Sequence, residues 1–455
     1  MKINFHKTLI IIFVFGTCLI CANNLFAQET PEDTTIIKVT GVDTTNFDHS
    51  VSPSDDFYRY VNGKWLNRNK IPAGRSRWSP IFELNGNNEK IARKLLLQSM
   101  NGNYGKESSM KKAGDFYFSA MDTNSIEKLG YDPVKPYLET INNINDKEQY
   151  VKVLAKLSKS GLGSLFGIAA EPDDKDNSNV IVELTQGGLG LPERDYYLAK
   201  DPQSIDIRNK YSDLIVKLLI LTGDDHGTAE SKAQKIMDIE THLADISMDN
   251  VTMRDLKATY NKMSYDQLLS KYPALKFEIF FEILGINDPE YFRTGLNVET
   301  PDFFASLNTY FQTEDLENLK TYLRWKILSK SSQFLSSEFR NAYFDFNSKT
   351  LRGIKSKQLR WKDAVNIVES NIGQIVGEAF VKQNFSPESK EKVKQMVGNI
   401  LLSLKDRISN LEWMNEDTKK KAYEKISTFR VLIGYPDKWK DYSSLEISRN
   451  SLFNN

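Results

Sequence analysis

A chain of 455 residues is longer than one hydrophobic core usually serves, so more than one lobe is expected. Its 60 Lys and Arg residues balance 60 Asp and Glu, which excludes a global electrostatic pull toward nucleic acid or an anionic membrane surface. With 40% hydrophobic and 11% aromatic residues, the chain can build a packed interior and is too apolar to be disordered.

Taken in chain order, the N-terminus has the pattern of a targeting segment. Lys2 and Lys7 precede an apolar run from Leu9 to Ile20, too short for a comfortable membrane span, and Ala27 offers a cleavage point. Residues 1–27 are therefore read as a signal peptide that takes the protein out of the cytoplasm, to the periplasm or beyond. Both cysteines, Cys18 and Cys21, lie inside it and neither has a good lipoprotein context. The mature chain is thus expected to carry neither a disulfide nor a thiolate metal site. Residues 28–51 are polar and aperiodic, which predicts a flexible linker.

Order is expected from Ser52, a helix cap with Pro53 at the first helical position; Gly63 and Pro72 mark the exit. Residues 113–122 and 147–158 predict helices. The period then changes to that of strands over residues 164–171 and 179–186, joined by a turn rich in Asp and Asn. This hairpin leads into Gln186-Gly187-Gly188-Leu189-Gly190-Leu191-Pro192-Glu193-Arg194-Asp195-Tyr196-Tyr197. From Tyr211 onward the spacing is helical almost to the end. Ser264 and Gln267 predict a capping box, Ser386-Pro387 restarts the helical pattern, and Asn415 opens the last helix. Val393, Val397, Ile400, Leu404, Ile408 and Leu411 form one apolar stripe. No fixed-period repeat is present. The fold class is mainly α, a multi-helical lobe with one small β-hairpin or sheet, and residues 52–455 are expected to form it.

Chemistry is harder to find. Gly188 and Gly190 lack the third glycine of a dinucleotide fingerprint, and Pro192 interrupts any nest of backbone donors, so the loop reads as a corner. Asp173, Asp174 and Asp176 would need a glycine at Asn179 and a glutamate at Thr185 to make a calcium loop; they read as solvated turn residues. The four histidines, His6, His49, His226 and His242, include no pair at the i, i+4 spacing of a zinc helix. Glu240 and His242, two residues apart, face different directions. The sequence has no nucleophile elbow. Lys390, Lys392 and Lys394, and the run from Lys419 to Lys421, read as solvated helix faces.

Five ordered stretches change that reading. Asp55-Asp56-Phe57-Tyr58-Arg59-Tyr60-Val61-Asn62-Gly63-Lys64-Trp65-Leu66, Leu191-Pro192-Glu193-Arg194-Asp195-Tyr196-Tyr197, Tyr260-Asn261-Lys262-Met263-Ser264, Leu411-Glu412-Trp413-Met414 and Ile433-Gly434-Tyr435-Pro436-Asp437-Lys438-Trp439 together resemble the M13, neprilysin-like family of zinc metallopeptidases. The resemblance implies a secreted or membrane-tethered endopeptidase that cleaves peptides with one zinc ion, a zinc-activated water and a glutamate base. The family's His-Glu-x-x-His helix and remaining zinc ligands lie in a C-terminal part that has no counterpart among these residues. The chain then corresponds to the N-terminal helical lobe. No catalytic, cofactor-binding or metal-ligating residue is expected within it, and it is expected to be inactive and zinc-free alone. Peptides would be the substrates of the complete enzyme, and its catalytic part would be the lobe's packing partner; neither nucleic acid nor a membrane span in the mature chain is expected. Asn341-Ala342-Tyr343-Phe344 imitates the family's substrate-binding Asn-Ala-aromatic motif out of order, and its Tyr343 and Phe344 are expected in the core. Two alternatives remain at this point: a non-catalytic extracytoplasmic peptide-binding or interaction protein derived from the lobe, and a helical glycan-binding surface protein, which the lack of repeats disfavours.

Overall fold

The computed structural model describes residues 42–105 and 107–455, so the expected signal peptide, both cysteines and most of the expected linker lie outside it. Contacts divide the chain into two compact units. The first takes the residues up to Lys70 together with Ser79–Lys94; the second joins Ile71–Trp78 to Leu95–Asn455.

In the first unit the helix Phe57–Arg68 begins at Asp56, whose carboxylate accepts the Arg59 amide; Ser52 instead closes the turn before it. Gly63 does not end this helix. It lies buried within it, because a Cβ there would come 2.4 Å from the Asp48 Cβ. The described end of the expected linker is anchored too. The Asp48 amide donates to the Tyr60 carbonyl at 2.7 Å, and the Phe47 and His49 rings pack on Tyr60 with centroids 5.4 and 5.7 Å away.

The second unit is mainly helical. Its helices include Ser109–Met121, Lys147–Lys159, Pro202–Leu221, His226–Asp245, Pro301–Thr313, Leu316–Ser331, Arg360–Asn384, Pro387–Ser409 and Glu416–Ser427. Several of these starts follow the capping rule: Asp201, Asp225, Asp315, Ser386 and Asn415 each accept a backbone amide of the first turn. Both reciprocal bonds of the Ser264–Gln267 capping box are made.

A four-stranded sheet runs in the order β1-β2-β4-β3, with β1 Phe166–Asp173, β2 Asp176–Gln186, β3 Lys262–Met263 and β4 Leu296–Val298. β1 and β2 pair antiparallel from Phe166 opposite Gln186, and the hairpin turns on Asp174 and Lys175 alone. The short β3 and β4 were not expected. They exist by pairing: β4 lies parallel to β2 through Glu183 opposite Asn297, and antiparallel to β3. Buried Asn297 secures the join, donating to the Thr259 carbonyl at 3.1 Å and accepting the Asn261 amide at 2.7 Å. One apolar core runs from Val134 to Phe346, and at the sheet Phe166 meets the rings of Phe280, Phe277 and Phe304 at 5.0, 5.5 and 5.5 Å.

The 360–384 helix bends at Ile372, where φ is −127° and ψ is 30°. The last residues return to the 109–121 helix. The Lys112 ammonium donates to the Tyr442 and Ser443 carbonyls at 2.8 and 2.6 Å, and Arg449 pairs with Asp115 at 2.6 Å. No helix among the described residues is long and apolar enough to cross a membrane.

Candidate functional site

The glycine corner after β2 is held by a buried polar network. Gly188 has a φ of +87°, and a Cβ there would come 2.7 Å from Leu243 Cδ1. Gly190 is needed for a different reason: a Cβ would fall 1.7 Å from the Tyr211 hydroxyl. The Gly190 and Leu191 amides donate to the Tyr197 hydroxyl at 3.0 and 2.8 Å, and Tyr197 donates to Glu240 Oε2 at 2.6 Å. Tyr211 donates to the same oxygen at 2.9 Å, and accepts the Trp325 indole N–H at 3.0 Å. From the 316–331 helix, the Lys326 ammonium donates to the Gly188 carbonyl at 3.0 Å, and the Tyr322 hydroxyl caps the same oxygen.

Glu240 has no exposed surface. Burial raises its carboxyl pKa and lowers that of Lys326, while the opposite charge of each pulls the other back. A hydrogen bond of this kind contributes about 1 kcal/mol net, but a carboxylate stripped of its donors in such a place costs several times more. The corner is thus a tie between β2 and three helices. The donors that reach Glu240 all meet Oε2, while Oε1 is buried with no hydrogen-bond partner among the described residues.

The other sequence candidates lie apart. His49 packs on Tyr60, exposed His226 stands 3.4 Å from Glu230, and His242 stacks on Tyr310 at 4.1 Å. Burial lowers the His242 pKa. The residues present do not fit a zinc site, because these histidines sit on separate elements with separate partners, and no three metal-type side chains converge among the described residues. Asp173 is a correction: it is buried, ion-paired with Lys262, and accepts the Tyr260 hydroxyl at 2.9 Å. The Lys262 ammonium holds its carboxyl pKa down to about 2. Lys390 is another correction. Its buried ammonium donates to the Tyr435 carbonyl and to Asp437, both at 2.9 Å, tying down the Gly434-Tyr435-Pro436-Asp437 stretch. Tyr343 and Phe344 are half-buried, and Phe346 is the ring that enters the core.

The helices near the end of the described residues expose apolar side chains. The 387–409 helix buries only Lys390 and Ile408; of the apolar stripe read from the sequence, Ile400 and Leu404 are exposed and Val393, Val397 and Leu411 half-buried. Met396 and Ile400, one turn apart, are each 60% exposed, and Leu404 continues the line. Trp413 and Leu432 are 76% and 77% exposed.

A family model described as peptidase family M13 matches residues 53–436. Endothelin-converting enzyme 1 of Rattus norvegicus is 29% identical over 422 residues, which cover 90% of this chain and 54% of the relative. Neprilysin-3 of Drosophila melanogaster is 31% identical over 440 residues, with 90% and 55% covered. Among solved structures, the Mycobacterium tuberculosis zinc metalloprotease ZMP1 in complex with an inhibitor aligns with a TM-score of 0.85 at 30% identity, over 91% of this chain and 62% of that one. The chain spans about half the length of the curated relatives it matches.

Proposed function

Since the chain belongs to peptidase family M13, by its match over residues 53–436, we propose that it forms the helical lobe of a zinc endopeptidase acting on peptides outside the cytoplasm. The observation that carries this reading is the combination of that match with the histidine inventory. The match takes in four of the five ordered motifs and most of the fifth, yet the 455 residues contain no His-Glu-x-x-His. The zinc of a complete family member would be held by residues other than these. The exposed line of Met396, Ile400 and Leu404 would pack against the part that holds it. The N-terminal apolar run would act as the export signal.

Alone, the chain should bind no stoichiometric zinc and hydrolyse no peptide. Elemental analysis of the purified protein, beside a cleavage assay on internally quenched peptides, tests this. One tightly held zinc per chain, or chelator-sensitive cleavage, overturns the reading.

A further inference from the structure

The Asn341-Ala342-Tyr343-Phe344 stretch borders a cavity of about 500 Å³ that the peptidase reading does not use. That is the scale of small-molecule sites. Its wall includes a seven-residue π-helix, Phe344–Thr350, a rare geometry that recurs at functional sites. Four cations line it, Arg340, Arg352, Lys357 and Arg360, against one carboxylate, Asp363.

Asp363 is the carboxylate that lines the cavity with them, while Asp345 acts on Lys357 and Glu127 on Arg360 from outside that lining. Arg340 reaches Asp363 only at 3.4 Å. Arg360 spends its Nε on the Ala120 carbonyl at 2.6 Å, and its Nη2 is buried with no partner among the described residues. Arg352 is steered by neutral groups, the Asn347 carbonyl at 2.9 Å and the Ser348 hydroxyl at 2.8 Å. Lys357 meets the Asn341 side-chain oxygen. Burial and the nearby Arg340 hold the Arg360 guanidinium down to about 10, and the same two causes lower Lys357. Arg340 and Arg360 are half-buried, with Lys357 and Arg352 exposed at the rim; like charges gathered at one cavity repel unless an anion joins them, and guanidinium forks suit the paired oxygens of a carboxylate or phosphate. Half-buried Tyr343 and Phe344 offer an apolar wall for the body of an organic anion.

We propose that this cavity is a binding site for a small anion, a carboxylate or a phosphate, held by Arg340, Lys357 and Arg360. The site does not depend on the peptidase reading and can fail or stand separately from it.

Calorimetric titration of the full chain at fixed ionic strength in chloride tests it. The probes are inorganic phosphate and one tripeptide in free-acid and amidated forms. The expected result is saturable binding of phosphate or of the free-acid peptide with a Kd of about 1 mM or tighter, and none of the amide. Lys357→Gln and Arg360→Gln should each weaken binding about tenfold, the effect of one charge-assisted bond. Tighter binding of the free-acid peptide assigns the site to organic carboxylates, and tighter phosphate binding assigns it to phosphate. Lys357 is exposed, so its substitution should leave the fold intact, as a circular dichroism melt will verify. Absence of saturable binding by either probe, or equal binding by the folded Lys357→Gln variant, overturns the proposal.

Discussion

The 226–245 helix buries Ala229, Ala233, Ile236, Ile239, Glu240, Leu243 and Ala244, whereas the 387–409 helix, somewhat longer, buries Lys390 and Ile408. Both carry an apolar stripe at helical spacing. The first stripe lies in the core with the 202–221 and 316–331 helices against it; the second is only partly covered, with Ile408 buried but Ile400 and Leu404 exposed. An amphipathic pattern states which face seeks shelter from water, and the stabilisation of about 25 cal/mol per Å² arrives only when shelter is supplied. Around Glu240 stability rests on tertiary packing and a buried polar network. Along residues 387–433 it rests more on caps, such as Ser386 and Asn415, and on a few anchors, such as Lys390.

The contrast is sharpest at Gly190. Gly190→Val places carbon where the Tyr211 hydroxyl stands 1.7 Å and Glu240 Oε2 2.9 Å from an added Cβ, and should destabilise the fold by about 3 kcal/mol or more in urea titrations. A loss under about 1 kcal/mol would mean that the corner yields and is no tie.

Asp173 probes the same half of the molecule by pH. Its folded pKa, about 2, lies below its ordinary 3.8, so its contribution is fully present above that ordinary value and disappears as pH falls through about 2. Unfolding free energy should therefore fall more steeply between pH 4 and 2 in the native sequence than in Asp173→Asn. Parallel curves would remove Asp173 from the account of acid stability.

The smallest effect is expected on the open face. Met396→Lys with Ile400→Lys should shift stability by no more than about 0.5 kcal/mol, while sedimentation shows less self-association at high concentration. A clear drop in melting temperature would show that something within this chain already covers the face.

Local chemistry made much of the fold readable. Ser264 with Gln267, Ser386 and Asn415 announced helix starts because a cap is decided within four residues. Asp56 displaced Ser52 by the same rule, applied one turn later. The misreadings share a cause: contact between residues distant in sequence. Gly63 stays helical because Asp48 needs the room, β4 is a strand because Glu183 and Leu184 lie beside it, and Lys390 is buried because Tyr435 returns to it. The corner at Gly190 was legible as a corner, but Glu240 was not legible as its anchor, since nothing near residue 240 signals two tyrosines arriving from positions 197 and 211. The cationic cavity was hidden for the same reason: Arg340 and Arg360 stand twenty positions apart in sequence and share one wall only after folding.

The return of the last residues to the 109–121 helix has a temporal consequence. Lys112 is satisfied by carbonyls 330 and 331 positions downstream, and the Ser119 hydroxyl accepts from Asn455 at a separation of 336. A ribosome adding about 5–20 residues per second needs tens of seconds to deliver those partners. For that interval the buried ammonium of Lys112 lacks the acceptors it finally uses, so the 109–121 helix is completed only after residues 442–455 have emerged. Sequence separations this large also predict slow refolding, because loop closure must precede the contacts that reward it.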